Sequence, residues 1–113
     1  EYCFSGLAGI NRVALVNISL HGQKVLALCI EPTQRFMSPT ARRTIVTDIV
    51  QVARRYRIPL RVIAFHARQF PVDKRHHAKI ERHLLAKWVQ DSLTRLRCNW
   101  AIYHVSMTNI AAR

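Results

Sequence analysis

Apolar and polar positions follow two periods along this chain, and the changes of period predict the order of its elements. Three short apolar runs come first, at residues 2–7, 13–18 and 24–30. Their lengths and the turn residues between them are typical of β-strands. Gly22 supplies the turn that makes the second and third runs an antiparallel hairpin.

A helical period follows the third run. Ser38 and Pro39 predict a helix start, because serine caps helix amino termini and proline is tolerated in the first turn. Residues 60–65 are typical of a buried strand, and the helix before them predicts a parallel crossover. The apolar residues at helical spacing, before a stop near Pro59, are Ile45, Ile49, Val52, Ala53 and Tyr56.

A second helix and a last strand complete the pattern. A polar loop at 66–75 leads to a helix predicted over about 76–97, and residues 101–105 predict the last strand. The order βββαβαβ predicts a single α/β domain over residues 1–113, with a mixed sheet flanked by helices. The apolar stripe of the second helix is Ile80, Leu84, Leu85, Trp88, Val89, Leu93 and Leu96.

The net charge of the chain indicates what kind of partner it binds. Eighteen Lys and Arg stand against six Asp and Glu, giving a net charge of +12. A polyanion is therefore the expected partner, with an anionic lipid surface as the lesser rival. Arginine outnumbers lysine fourteen to four, and its planar fork suits phosphates and unpaired RNA bases. The candidate RNA-binding residues are Arg35, Arg42, Arg43, Arg54, Arg55, Arg57, Arg68, Lys74, Arg75, His76, His77, Lys79, Arg82 and Lys87, with Arg61 beside them.

Cysteine content and hydropathy exclude some classes of site. Cys3, Cys29 and Cys98 are odd in number and lie in apolar stretches, so they are expected to be reduced core thiols rather than disulfides or zinc ligands. No run of about 18 uncharged apolar residues occurs, so no membrane-spanning helix and no membrane partner are expected. No cofactor is expected.

Residues 7–16 read Leu-Ala-Gly-Ile-Asn-Arg-Val-Ala-Leu-Val. This stretch resembles the Asp-x-Gly-x-x-Arg-Ile-Gly-Val-Ala pattern in which the first strand ends in the YqgF/RuvX family of Holliday-junction resolvases and ribosomal RNA maturation nucleases. Gly9 and Arg12 are retained in register. Residues 104–109 align with the family's Asp-Glu-Arg-Leu-Thr-Thr pattern and retain Thr108. The resemblance implies a ribonuclease H-like fold, with a further helix beyond Arg113.

The same resemblance implies that the catalytic acids are missing. Leu7, His104 and Val105 stand where the family carries its carboxylates. Two-metal phosphodiester cleavage needs several carboxylates around Mg²⁺, which leucine and valine cannot replace. Acid–base cleavage by the histidines is a less favoured alternative, because a phosphate-contacting or solvated role suits them better. The acids present are expected to be solvated or ion-paired: Glu1, Glu31, Asp48, Asp73, Glu81 and Asp91.

The resulting expectation is a catalytically inactive RNA-binding protein with no metal. It would be a structural rRNA-binding component of a divergent, mitochondrial ribosome, or a ribosome-assembly factor. Its expected partners are rRNA and neighbouring ribosomal or assembly proteins, and its location is mitochondrial or otherwise cytoplasmic. Two rivals stay open: an active metal-dependent nuclease acting on Holliday junctions or pre-rRNA, and a protein-interaction module whose charge is incidental.

Overall fold

The computed structural model describes residues 2–4, 6–34, 37–66, 70–73, 79–94 and 102–105. Within these residues a short 3-10 helix, Tyr2–Phe4, comes first. The strands are β1 (Ile10–Leu20), β2 (Gln23–Pro32), β3 (Leu60–Phe65), β4 (Val72–Asp73), β5 (Lys79–Ile80) and β6 (Ile102–His104). The helices are α1 (Pro39–Arg55) and α2 (Arg82–Thr94).

The antiparallel hairpin of β1 and β2 forms around His21 and Gly22. Both turn residues have a positive φ, 53° and 79°, and this combination gives a two-residue turn whose twist matches that of the strands. Leu20 therefore pairs with Gln23, and the same register places Arg12 opposite Glu31 at the far end of the hairpin.

Local hydrogen bonds determine both ends of α1. The Ser38 hydroxyl accepts a bond from the Ala41 N–H at 3.1 Å, which is the predicted amino-terminal cap. At the other end the N–H of Ile58 donates to the Ala53 carbonyl at 2.8 Å, and Arg57 adopts a left-handed φ of 57°. This is a Schellman-type end, in which glycine usually occupies the left-handed position. The chain then enters β3, which pairs parallel with β2 as predicted.

The four longer strands form one mixed sheet in the order β1-β2-β3-β6. β6 pairs antiparallel with β3, so the pair β2–β3 supplies the parallel part of this sheet. β4 and β5 form a separate two-stranded ribbon between β3 and α2.

The sheet buries apolar residues on both faces, because successive strand residues point to opposite sides. The first core lies beneath α1 and includes Ile45, Ile49, Ala53, Leu28, Ile30 and Ile63. The second core lies beneath α2 and includes Leu85, Val89, Ala27, Cys29, Val62 and Ala64. Each helix therefore covers a different face of the sheet.

The predicted α/β class and mixed sheet are confirmed, but the ribonuclease H-like assignment is not. A strand at residues 2–7 is wrong, because Tyr2–Phe4 forms a 3-10 helix whose Phe4 is fully buried in the first core. The second helix begins at Arg82 rather than near residue 76, and Lys79 and Ile80 belong to β5. Tyr56 and Leu84, assigned to apolar stripes, are 57% and 41% exposed. Trp88 is half-buried against the second core.

The two described cysteines are free thiols. Cys29 is buried, and that burial raises the pKa of its thiol to about 12, so it behaves as an unreactive core residue. Cys3 is half-buried, and Cys98 lies outside the described residues. In the described part of the chain, neither helix has the length and apolar character needed to cross a membrane.

Replacing Arg57 by glycine tests the strained end of α1. A left-handed conformation costs a non-glycine residue about 1–2 kcal/mol, part of which glycine loses again through its greater freedom in the unfolded chain. We expect Arg57→Gly to raise the free energy of unfolding by up to about 1 kcal/mol, and Arg57→Ala to leave it unchanged or lower. Urea denaturation measures both. Equal stability of the two variants would contradict this account.

Candidate functional site at the carboxyl ends of β2 and β3

The parallel strands β2 and β3 end side by side, and the chain leaves them in opposite directions. After β2 it continues to α1 on one face of the sheet, and after β3 it continues through the ribbon to α2 on the other face. The His66 N–H donates to the Ile30 carbonyl at 2.8 Å and holds the two strand ends together. Parallel α/β sheets bind ligands in the crevice at such a switch point, so this end of the sheet is the candidate site.

A buried carboxylate, Glu31, organises this end. Its side chain accepts two bonds from the Arg12 guanidinium, Nε to Oε1 at 3.0 Å and Nη2 to Oε2 at 2.8 Å. The Asn11 side-chain amide also donates to Oε1, and the backbone N–H of Phe70 donates to Oε2. Glu31 therefore joins the hairpin to the loop that follows β3. Bidentate pairing with arginine is among the stronger charge-assisted arrangements.

The environment of Glu31 keeps it ionised. Burial alone raises the pKa of a carboxyl group, but here the hydrogen bonds from Arg12, the Phe70 backbone and Asn11 outweigh burial, and the Arg12 charge adds to them. The net result is a lowered pKa for Glu31. The charged form is therefore the one that holds the loop in place.

A cluster of three aromatic rings, those of His66, Phe70 and Trp88, packs next to the Arg12–Glu31 pair. The His66 ring meets Trp88 edge-on with centroids 4.6 Å apart and Phe70 with centroids 5.9 Å apart. The Arg12 guanidinium lies 5.9 Å from the Phe70 ring centroid, within the range of a cation–π contact. His66 and Trp88 are half-buried, so part of each ring borders the surface at this end.

The β4–β5 ribbon leaves from the anchored Phe70. The Glu81 N–H donates to the Pro71 carbonyl at 2.9 Å, and Lys79 pairs in register with Asp73. Lys79 is exposed on this ribbon, ahead of α2. The His66 and Phe70 rings therefore lie at the loop that Glu31 anchors, and the ribbon that carries exposed Lys79 begins from the same loop.

The predicted RNA-binding residues are spread over both faces of the sheet. Arg42 is half-buried and bonds to the Met37 carbonyl at 2.6 Å and to the Tyr103 hydroxyl at 3.3 Å. Arg55 lies over the Tyr56 ring, 5.9 Å from its centroid. The residues on or next to α1 are separated by the sheet from those on the ribbon and α2, so the described ones do not form one surface. On the α1 side these are Arg42, Arg43, Arg54, Arg55 and Arg57; on the other side they are Lys79, Arg82 and Lys87.

Six of the predicted contacts, Arg35, Arg68, Lys74, Arg75, His76 and His77, lie outside the described residues. Whether any predicted contact binds RNA stays untested. Across the ranges that the structure describes, no three His, Cys, Asp or Glu side chains come together in a way that could hold a metal ion.

Two of the three positions matched to nuclease acids have packing roles. Val105 is buried in the first core and Leu7 packs against it, while His104 is exposed on β6. The two retained motif residues are also explained by packing. Gly9 has a φ of 84°, and a Cβ there would lie 3.0 Å from Ile45 Cδ1. Arg12 binds Glu31. The match of Gly9 and Arg12 to the nuclease motif is therefore explained by packing and ion pairing in this fold.

Comparison with known proteins overturns the expected family. No protein-family model matches the sequence. The chain is 35% identical over 94 residues to an olefin beta-lactone synthetase from Stenotrophomonas maltophilia (strain K279a), covering 82% of this chain and 16% of that protein. Its fold is similar to part of a fatty acid AMP ligase from Legionella pneumophila, with a TM-score of 0.70 at 16% identity, over 92% of this chain and 18% of that one.

A second solved structure is also similar. It is a fatty acyl-adenylate ligase from L. pneumophila in complex with acyl adenylate and pyrophosphate, with a TM-score of 0.62 at 15% identity, again over 92% of this chain and 18% of that one. The chain thus spans less than a fifth of the length of each of these three proteins.

These similarities correct several expectations. The YqgF/RuvX resemblance is wrong, because the similar proteins are ligases and a synthetase. The inactive RNA-binding or ribosomal protein, the non-enzyme assignment and the rival nuclease are wrong for the same reason. The net charge of the sequence misled because charge describes an electrostatic tendency and does not identify the kind of partner or the activity. No observation bears on the ribosomal or assembly partners or on the mitochondrial location.

Neutralising Glu31 tests the anchor. Glu31→Gln removes the charge on which Arg12 and the Phe70 N–H depend, so we expect a loss of roughly 2–4 kcal/mol in the free energy of unfolding at neutral pH. The lowered pKa means that this stabilisation is complete above the ordinary value of 4.5 and is lost as the pH falls through the folded-state pKa. Urea denaturation at several pH values measures the difference between wild type and variant.

The matched control is Asp48→Asn, which removes one carboxylate from half-buried Asp48 on α1. We expect this control to change stability by less than about 0.5 kcal/mol, as is usual away from such features. If Glu31→Gln and Asp48→Asn were equally mild, or if the cost of Glu31→Gln grew in acid, the anchor would not have the role assigned to it.

Proposed function

We propose that this chain is part of an enzyme that activates a carboxylic acid of the fatty-acid class as an acyl adenylate. The observation that supports this most strongly is the 35% identity to a synthetase over 82% of the chain. The fold similarity to two ligases named for fatty acyl-AMP chemistry adds independent support. Because the chain spans a small fraction of each, the activity would belong to the larger protein.

The chemistry of an acyl adenylate fits the candidate site. Adenylation joins a carboxylate oxygen to the α-phosphorus of ATP and releases pyrophosphate, so ATP, the acyl adenylate and pyrophosphate are all phosphorylated anions. We assign Lys79, which is exposed on the ribbon that begins after Phe70, as the source of positive charge at the crevice. The edges of His66 and Trp88 offer apolar ring surface. A fixed cation near developing phosphate charge is a common form of electrostatic stabilisation.

A second candidate product follows from the name of the sequence relative. If the acyl group carries a β-hydroxyl, that oxygen can attack the activated carbonyl carbon, lose its proton and expel AMP, which closes a β-lactone. The identity to an olefin beta-lactone synthetase favours this outcome. The two candidates share the adenylation step and differ in what captures the acyl group.

A segment exchange tests the proposal. The 94-residue region of the S. maltophilia synthetase that matches this chain is replaced by the corresponding part of this chain. We expect the chimera to release pyrophosphate from ATP in the presence of its carboxylic acid substrate, within about tenfold of the parent rate. A soluble chimera with the parent's thermal stability but no pyrophosphate release would contradict the proposal, and mass spectrometry of the product separates acyl adenylate from β-lactone.

Two lysine variants in that chimera locate the site. Lys79→Ala removes the exposed cation at the crevice and should lower the rate of pyrophosphate release by about 10²-fold. Lys87→Ala removes an equally exposed cation from α2 and should change the rate by less than about twofold. Equal effects of the two substitutions would show that the crevice does not contribute in this way.

A further inference from the structure

A cavity with both polar and apolar lining residues lies at the other end of the sheet, away from the candidate site. Its volume is about 230 Å³, and it opens between the β1–β2 hairpin and the start of β3. This volume is below the roughly 300 Å³ at which pockets begin to enclose drug-sized ligands, so it suits a small ligand. Its lining includes Asn17, Gln23, Lys24, Leu26, Pro59 and Arg61.

An irregularity in the parallel pair places Arg61 at this cavity. Leu26 pairs with Leu60 but Ala27 pairs with Val62, so Arg61 is an extra residue in β3. Extra residues of this kind interrupt the alternation of side chains and redirect one of them. The alternation is indeed interrupted here, because Leu60 and Ile63 both face the first core.

A backbone hydrogen bond also fixes the conformation of the segment that leads into β3. The Leu60 N–H donates to the Ile58 carbonyl at 2.8 Å, which makes a tight turn around Pro59. Just before it, Arg57 keeps a left-handed φ of 57° that glycine would adopt more easily. Strained residues of this kind are often found at functional sites.

The charges of the lining favour an anion. Lys24 and Arg61 come from different strands, and Asn17 and Gln23 add side-chain amides that can donate. None of the lining residues is acidic. Guanidinium and ammonium groups bind phosphate oxygens through charge-assisted hydrogen bonds. The carbonyls at the end of α1 oppose an anion less than usual, because those of Ala53 and Arg54 accept bonds from Ile58 and Arg57.

The lining also has an apolar side, which Leu26 and Pro59 form. A ligand that combined a phosphate with a small apolar group would contact both kinds of surface, whereas a free inorganic ion would leave the apolar side unused. We propose that this cavity is a binding site for a small phosphate monoester, separate from the crevice at the carboxyl ends of β2 and β3.

Calorimetric titration of phenyl phosphate into the purified full-length protein, without nucleotide and at about 0.15 M salt, tests the proposal. We expect saturable binding with a dissociation constant on the order of 0.1–1 mM, and weaker binding of inorganic phosphate. Lys24→Ala combined with Arg61→Ala should weaken phenyl phosphate binding at least about tenfold. Lys24→Gln alone, at an exposed position, should weaken it measurably and covers the case in which the double variant does not fold.

The control combines Arg43→Ala with Lys87→Ala, which removes two exposed positive charges elsewhere and should change the dissociation constant by less than about twofold. Repeating the titration with Lys79→Ala separates this cavity from the proposed adenylating site, since binding here should persist. The proposal is overturned if the wild-type protein shows no saturable binding, if both double variants lose affinity equally, or if Lys79→Ala abolishes binding.

Discussion

The ionised carboxylate of Glu31 is the constraint on which the candidate site depends. It lies in the sheet with 3% exposure and is stable there only because Arg12, Asn11 and the Phe70 backbone all donate to it. Leaving such a group without its partners is costly. The hairpin, the end of β3 and the start of the ribbon are therefore held in one arrangement. The position of Lys79 follows from that arrangement through the short ribbon.

The placement of the helices explains why the basic residues that the structure describes do not form one basic surface. α1 packs on the first core and α2 on the second, so the sheet separates their charged residues. The described residues leave two separate ends. The His66 and Phe70 rings lie at the carboxyl ends of β2 and β3, and Lys24 and Arg61 line a small cavity at the opposite end. The function proposed for the first end and the binding site proposed for the second both involve phosphorylated anions.

The error in family assignment has a specific physical cause. Gly9 and Arg12 match a nuclease motif, yet in this fold Gly9 allows the approach of Ile45 and Arg12 neutralises Glu31. Both needs arise where a chain turns tightly into an edge strand whose neighbouring strand carries a buried acid. A short motif match made of such residues indicates a similar local backbone and ion pair, and it says little about which reaction a protein catalyses.

Local sequence determined the hairpin, the start of α1 and the strand β3. The two-residue turn at His21 and Gly22 pairs Leu20 with Gln23, and the same register extended along the hairpin pairs Arg12 with Glu31. The sequence was therefore sufficient to predict this contact. Tertiary structure decided what local pattern leaves open. The apolar run at residues 2–7 serves packing through Phe4, β6 joins the sheet antiparallel, and Arg61 is displaced by a register shift. The period of apolar residues along the sequence indicates which residues are buried. Strand order, direction and register depend instead on contacts between segments that are distant in the sequence.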